Sequence, residues 1–171
     1  MRRRFVIVVL ALISVCGLGS AGAWAKRKPS TPEDRAQAVK FAHELESNPL
    51  SGDAPSKRKW LVEWYDKVPD ITVVVCDLLG PLPEGEHPFM SEVLGQMIFS
   101  NGAFQIEHPD LVGDKVAVQA AGLEGALKVY SAFVKTMPQG RLPLLDELLE
   151  KQAQGHLSEY VKAQVAAGCG K

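Results

Sequence analysis

From Val116 to Met137, apolar side chains recur at Val116, Ala120, Leu123, Leu127, Tyr130, Val134 and Met137, in alternating steps of four and three. Such steps lay one continuous stripe along a 3.6-residue helix, and Pro138 ends it, so a long amphipathic helix is predicted here. Gly122 and Gly125 fall near its middle. Each weakens a helix by about 1 kcal/mol unless a neighbour packs closely against it.

The same reading predicts shorter helices on both sides. Thr31-Pro32-Glu33-Asp34 has the form of a helix start, with a capping Thr, Pro in the first turn and acids facing the positive helix end. Ala38, Phe41, Ala42 and Leu45 continue it to Ser47-Asn48-Pro49. A second helix is expected from Asp53-Ala54-Pro55-Ser56, with Trp60, Leu61, Trp64, Tyr65 and Val68 on its apolar face. Pro88 is expected to open another, carrying Phe89, Val93, Leu94, Met97 and Ile98 on one side and closing at Asn101-Gly102. Leu144, Leu145, Leu148 and Leu149 mark one that runs to Gly155, and Leu157, Tyr160, Val161 and Val165 mark the last, ending at Gly168.

Residues 70–80 are ambiguous. Ile71-Thr72-Val73-Val74-Val75 are strong strand formers, but a strand needs a partner, and the one faint candidate is Ala103 to Ile106. Asp70 as cap, Gly80 as stop and Pro81 beyond favour a short buried helix. The expected fold is therefore all-α: a single-domain bundle or array of six to seven helices.

That domain is expected to span 32–171, behind a flexible charged lead-in at 26–31 and a removable signal peptide at 1–25. Arg2-Arg3-Arg4 precede an apolar run, Phe5 to Val15, too short for the roughly 20 residues a bilayer needs. Ala23-Trp24-Ala25 then supplies an A-x-A cleavage pattern. Arg2 to Val6 also has features of a twin-arginine signal, though the strongly apolar run suits the general secretory route better. Leu12 to Cys16 approaches a lipoprotein box, but Val15 stands where a small residue belongs. The expected location is periplasmic or secreted.

The whole chain has 171 residues, 46% of them hydrophobic and 23% charged. Removing residues 1–25 takes three of the 19 basic residues and none of the 20 acidic ones, leaving a net charge of −4. A mildly acidic domain is a poor polyanion binder, so nucleic acid is not an expected partner. Membrane contact is not expected after signal removal either. The basic turn Lys57-Arg58-Lys59 beside two tryptophans is the one feature that points to an anionic lipid surface; its competing reading is a solvated face.

Candidate chemistry is sparse. Glu86-His87-Pro88 and Glu107-His108-Pro109 repeat one tripeptide. If the two loops met, Glu86, His87, Glu107 and His108 would supply His and carboxylate ligands to a metal, or an acid–base pair for hydrolysis. The competing reading is two loop-to-helix lead-ins, with Pro88 and Pro109 each in a first helical turn. His43-Glu44 lacks the second histidine of a metalloprotease helix, and no nucleophile elbow, phosphate loop or dinucleotide fingerprint is present. Ser91, Ser100, Ser131 and Ser158 read as surface or capping residues. No cofactor is expected. Trp60, Trp64, Tyr65 and Tyr130 are the candidates for lining a ligand groove; on the apolar stripes, they also fit plain core. Cys76 and Cys169, the two cysteines beyond the signal, are a candidate disulfide in an oxidising compartment.

Three stretches, KWLVEWYDKVPDITVVVC, AAGLEGALKVYSAFVK and LPLLDELLEKQAQGHLSEYV, together resemble small exported, mainly helical bacterial proteins of uncharacterised function. The resemblance implies export and a helical fold, and carries no activity or binding residue across. The functional expectation is a non-catalytic binding or interaction module for an unidentified protein or small molecule. The alternatives are a hydrolase built on the Glu/His residues and a peripheral membrane-surface protein.

Overall fold

A computed structural model of the chain describes residues 28–79 and 87–169. Among them are six α-helices, and none contains a strand: α1 Pro32–Ser47, α2 Ala54–Lys67, α3 Met90–Glu107, α4 Lys115–Thr136, α5 Pro143–Ala153 and α6 Leu157–Gly168. A 3-10 turn, Pro138–Gly140, links α4 to α5. The all-α expectation holds. The signal segment, Gly80, Pro81 and Glu86 lie outside the described residues.

The helix ends follow local chemistry. Thr31 Oγ1 accepts the Asp34 N–H at 3.1 Å and starts α1. Asp114 caps α4 by accepting the N–H groups of Val116 and Ala117. Asp53 precedes α2 without capping it; its carboxylate instead meets Lys57 one turn on at 2.9 Å. Gly155, with φ +78°, makes the tight turn from α5 to α6. Phe89 precedes α3 at φ 54°, unusual for a bulky residue, and its ring stacks on Phe133 with centroids 4.9 Å apart.

Helices α3 and α4 form the central antiparallel pair. Phe89 at the start of α3 meets Tyr130 and Phe133 near the end of α4, while Asn101 and Met97 meet Gly122. The two glycines are where the backbones come together. A Cβ on Gly122 would lie 2.8 Å from the Met97 carbonyl oxygen, and one on Gly125 would overlap Ser100. The close neighbour that would justify both glycines is α3.

α3 is buried on nearly all sides because it divides two apolar clusters. Val93 and Met97 join residues of α4, α5 and α6; Phe99 and Ala103 join Leu45, Leu61 and Trp64 of α1 and α2. This corrects two expectations. Asn101-Gly102 does not close the helix, which continues to Glu107, because Asn101 is buried and Gly102 lies against the Tyr65 ring. Leu94 and Ile98 are part of the exposed surface, and Gln96, Ser100 and Asn101 occupy the inward positions instead. Ala103 to Ile106, the faint strand candidate, is part of the same helix.

Residues 70–79 form neither the expected helix nor a strand. Side-chain amides hold residues 72–76 extended. Gln105 donates to the Thr72 carbonyl at 3.2 Å, Asn101 and Gln119 both donate to the Val74 carbonyl, and Gln119 Oε1 accepts the Cys76 N–H at 3.0 Å. Carbonyls of residues 72 and 74 and the amide of residue 76 thus face the helices with a period of two, the period of an extended strand. Three amides on α3 and α4 take the place of a neighbouring strand. The local preference of Ile-Thr-Val-Val-Val is satisfied without any sheet.

The far end of this segment is tied to α6. Cys76 and Cys169 form a disulfide with Cα atoms 4.8 Å apart, closing 93 residues of chain, and Tyr160 donates its hydroxyl to the Leu78 carbonyl at 2.7 Å. The near end is held by Asp70, which accepts from Ser30 N at 2.9 Å and from Arg35 at 2.7 Å. The Ser30 backbone bond, outweighing a small burial effect, together with Arg35 and the Ser30 hydroxyl, lowers the Asp70 carboxyl to about 2.

Candidate functional site

The four aromatic groove candidates do not share a site. Trp60, Trp64 and Tyr65 belong to the α1–α2–α3 cluster and Tyr130 to the other. Tyr130 is 0% exposed, its hydroxyl accepting the Leu142 N–H at 2.8 Å and donating to Asp146 at 2.9 Å. It joins the α4–α5 corner. Trp60 and Trp64 stack with centroids 5.8 Å apart, and the buried indole N–H of Trp64 has no acceptor among the described residues. Tyr65 packs in the niche left by Gly102, and burial raises its hydroxyl above the ordinary phenol range. Trp64 and Tyr130 are buried, and Trp60 and Tyr65 are partly buried against the first cluster.

The doubled tripeptide is used in two different ways. Pro88 lies in the turn before α3, with the His87 carbonyl accepting the Met90 N–H. Glu107-His108-Pro109 instead ends α3, so the expectation of a lead-in fails there: Glu107 is the last helical residue and His108 the C-cap. The His108 ring packs against Phe104, centroids 4.5 Å apart, and Glu107 turns to His43 on α1, both oxygens 3.1 Å from Nε2. Among the described residues no three His, Cys, Asp or Glu side chains are grouped to hold a metal ion. Glu86 lies outside those residues.

The cations at the start of α2 are already engaged. Lys57 bridges Glu44 and Asp53, each at 2.9 Å, and hydrogen bonds to these two carboxylates raise its ammonium above the usual range. Lys59 pairs with Glu63. Arg58 donates to the Pro49 carbonyl at 2.6 Å with its guanidinium over Phe133, and burial lowers its pKa. Among the described residues no helix is long and apolar enough to cross a membrane.

A polar network buried between α1, α3 and α4 escaped the sequence reading. Glu46, with its side chain 9% exposed, accepts from Ser100 at 2.6 Å and from Lys128 at 2.6 Å, with His43 Nδ1 3.6 Å away. Burial pushes the Glu46 carboxyl upward, but the bonds from Lys128 and Ser100 and the charges of Lys128 and His43 outweigh it, so the net shift is downward. Gln96 completes the set, donating to the Ala42 carbonyl and to Ser100. Ser100 is thus a buried connector between helices, not the surface residue expected.

The outward side of the extended segment is one of the parts of the surface that packing leaves open, as is the α2–α3 groove at Val62. Val74 is 51% exposed and Val75 39%, with Leu111 and Val112 of the α3–α4 turn also exposed. A cavity of about 360 Å³ opens beside them, lined by Thr72, Val74, Val112, Val118 and the stem of Lys115. Lys115 makes no ion pair among the described residues. Sequence did carry a signal for this site: Asn101, Gln105 and Gln119 are amides spaced by four, or placed three after Val116, on the inward faces of α3 and α4. Buried amides at such positions need backbone partners.

No protein-family model, curated protein or solved structure matches this chain.

Proposed function

We propose that the protein is an exported, non-catalytic interaction module whose contact surface is the outward side of residues 71–75 and the cavity beside it. One observation carries this reading: the extended segment is fixed at both ends and along one edge, while the side chains of Val74 and Val75 are exposed. A rigid, ordered apolar strip of this kind loses little conformational entropy when a partner covers it. The Cys76–Cys169 disulfide supports export, since such bonds persist in oxidising compartments, and periplasmic or secreted placement follows the signal-like segment at 1–25.

The two alternatives draw less support. A hydrolase would use Glu86, His87, Glu107 and His108, and of these Glu107 and His108 are engaged by His43 and Phe104. A lipid-surface protein would use Lys57, Arg58 and Lys59, which are engaged within the fold.

Amide chemical shifts of the isotopically labelled protein, titrated with short extended apolar peptides and with medium-chain fatty acids, test the reading. Changes confined to residues 72–75 and 112–118 are expected with at least one of the two. Binding that instead maps to the α2–α3 groove around Val62 and Phe99 would overturn it.

A further inference from the structure

The side chains at residues 71–75 leave a second feature unexplained: the backbone of their odd-numbered members. Because Thr72, Val74 and Cys76 turn their main-chain polar groups toward Asn101, Gln105 and Gln119, the alternation of an extended chain turns those of Val73 and Val75 the other way. Neither residue's N–H or C=O has a hydrogen-bond partner among the described residues. One edge of the segment is therefore closed by helical amides and the other is an open strand edge. The devices that usually protect such an edge are missing: residues 71–76 contain no Pro, no Lys and no charge.

We infer that this open edge pairs with the same edge of a second copy of the chain, forming a two-fold antiparallel ribbon across two helical domains. The inference rests on the reading of this segment as a contact surface and names its partner. Two observations favour a second copy. An antiparallel two-fold pair must join outward-facing residues to outward-facing residues, and a pairing centred on Val73 does so, setting Val73 against Val73 and Ile71 against Val75. Every residue from Ile71 to Val75 is β-branched, the side-chain class that packs best across such a pair. Charge does not oppose the pairing: residues 71–76 carry none, and Asp70 beside them is already paired with Arg35.

A ribbon of five residues is small beside the roughly 1,200 Å² or more of stable interfaces. The dimer is accordingly a weak, concentration-dependent one, in which the exposed Val74 and Val112 of each copy add apolar area at the flanks.

Sedimentation equilibrium of the oxidised protein from micromolar to millimolar concentration, with amide hydrogen exchange followed over the same range, tests the inference. A monomer–dimer equilibrium is expected, with the Val73 and Val75 amides gaining protection as the dimer forms. Val73→Pro removes an N–H that has no partner within the monomer, and proline suits an extended backbone. It should raise the dimer dissociation constant about tenfold or more, as should Val75→Lys, while the Cys76 amide stays protected as a sign that the segment is intact. Val62→Lys, on the α2–α3 groove, should leave the equilibrium unchanged. A protein that is monomeric at every concentration would overturn the inference, as would a dimer indifferent to both edge variants. An edge protected only when an apolar peptide is added would overturn it too, while leaving the proposed contact surface standing.

Discussion

Gly125 of α4 lies directly against Ser100 of α3, with no room between them for a methyl group, and Ser100 in turn donates to the buried carboxylate of Glu46 on α1. One glycine therefore sets how closely three helices meet. Its cost to helix propensity is offset by the contact it permits.

Gly125→Ala should accordingly destabilise the protein. Alanine regains about 1 kcal/mol of helix propensity, but overpacking of this kind costs about 1–3 kcal/mol or more, and the Ser100 Cβ, only 2.5 Å from the new methyl, cannot rotate away. Denaturant unfolding should show a lower midpoint for Gly125→Ala and for Gly122→Ala, where the obstacle is the Met97 backbone oxygen. A raised midpoint in either would show that the helices separate without cost.

Gln119 is expected to matter beyond its size. Its amide serves both the Val74 carbonyl and the Cys76 N–H. Gln119→Leu keeps the volume but strands the Cys76 N–H and leaves the Val74 carbonyl only the longer bond from Asn101, at a cost of about 1–3 kcal/mol for an unsatisfied buried group. The Cys76 amide should exchange far faster in the variant while the amides of α4 remain slow. Unchanged exchange at Cys76 would mean that the disulfide alone holds the segment.

The disulfide constrains a loop of 93 residues. Replacing Cys76 and Cys169 together by Ser should cost about 2–4 kcal/mol, chiefly by loosening the unfolded chain. Unfolding curves of the two proteins give the difference, and a thiol count on denatured, unreduced protein should find no free thiol at these positions. Two free thiols in material from an oxidising compartment would contradict the bond.

Acid should act through Glu46. Its carboxyl is depressed below the ordinary value of 4.5 in the folded state, so its contribution is fully present above that value. That contribution is lost as pH falls through the lower folded value, where the unfolded chain binds the proton more readily. Stability measured against pH should decline in this acid range, and Glu46→Gln should flatten that limb while lowering stability at neutral pH. An unchanged acid limb in the variant would move the effect elsewhere, with Asp70 as the next carboxylate to test.

At the amino terminus, mass spectrometry of exported protein should find Lys26 as the first residue, after cleavage at Ala23-Trp24-Ala25. A diacylglyceryl group on Cys16 would make the protein a lipoprotein instead.

The sequence by itself determined where five of the six helices lie in full and where α3 begins. Those boundaries depend on interactions within a few residues: Thr31 reaching Asp34, Pro138 stopping α4, apolar side chains spaced for one helix face. Tertiary structure decided the rest. Asn101-Gly102 has the form of a helix stop, yet α3 runs through it, because Gly102 receives Tyr65 and Asn101 reaches the extended segment from another part of the chain. Glu107-His108-Pro109 has the form of a helix start and is a helix exit for the same reason. Ile71 to Val75 show the limit most clearly. Their strand preference is plain in the sequence, but a strand is defined by its partner, and here the partner is three amides lying 27 to 45 residues away along the chain. Local preference can state what a segment's backbone needs, and only the folded arrangement of distant residues supplies it.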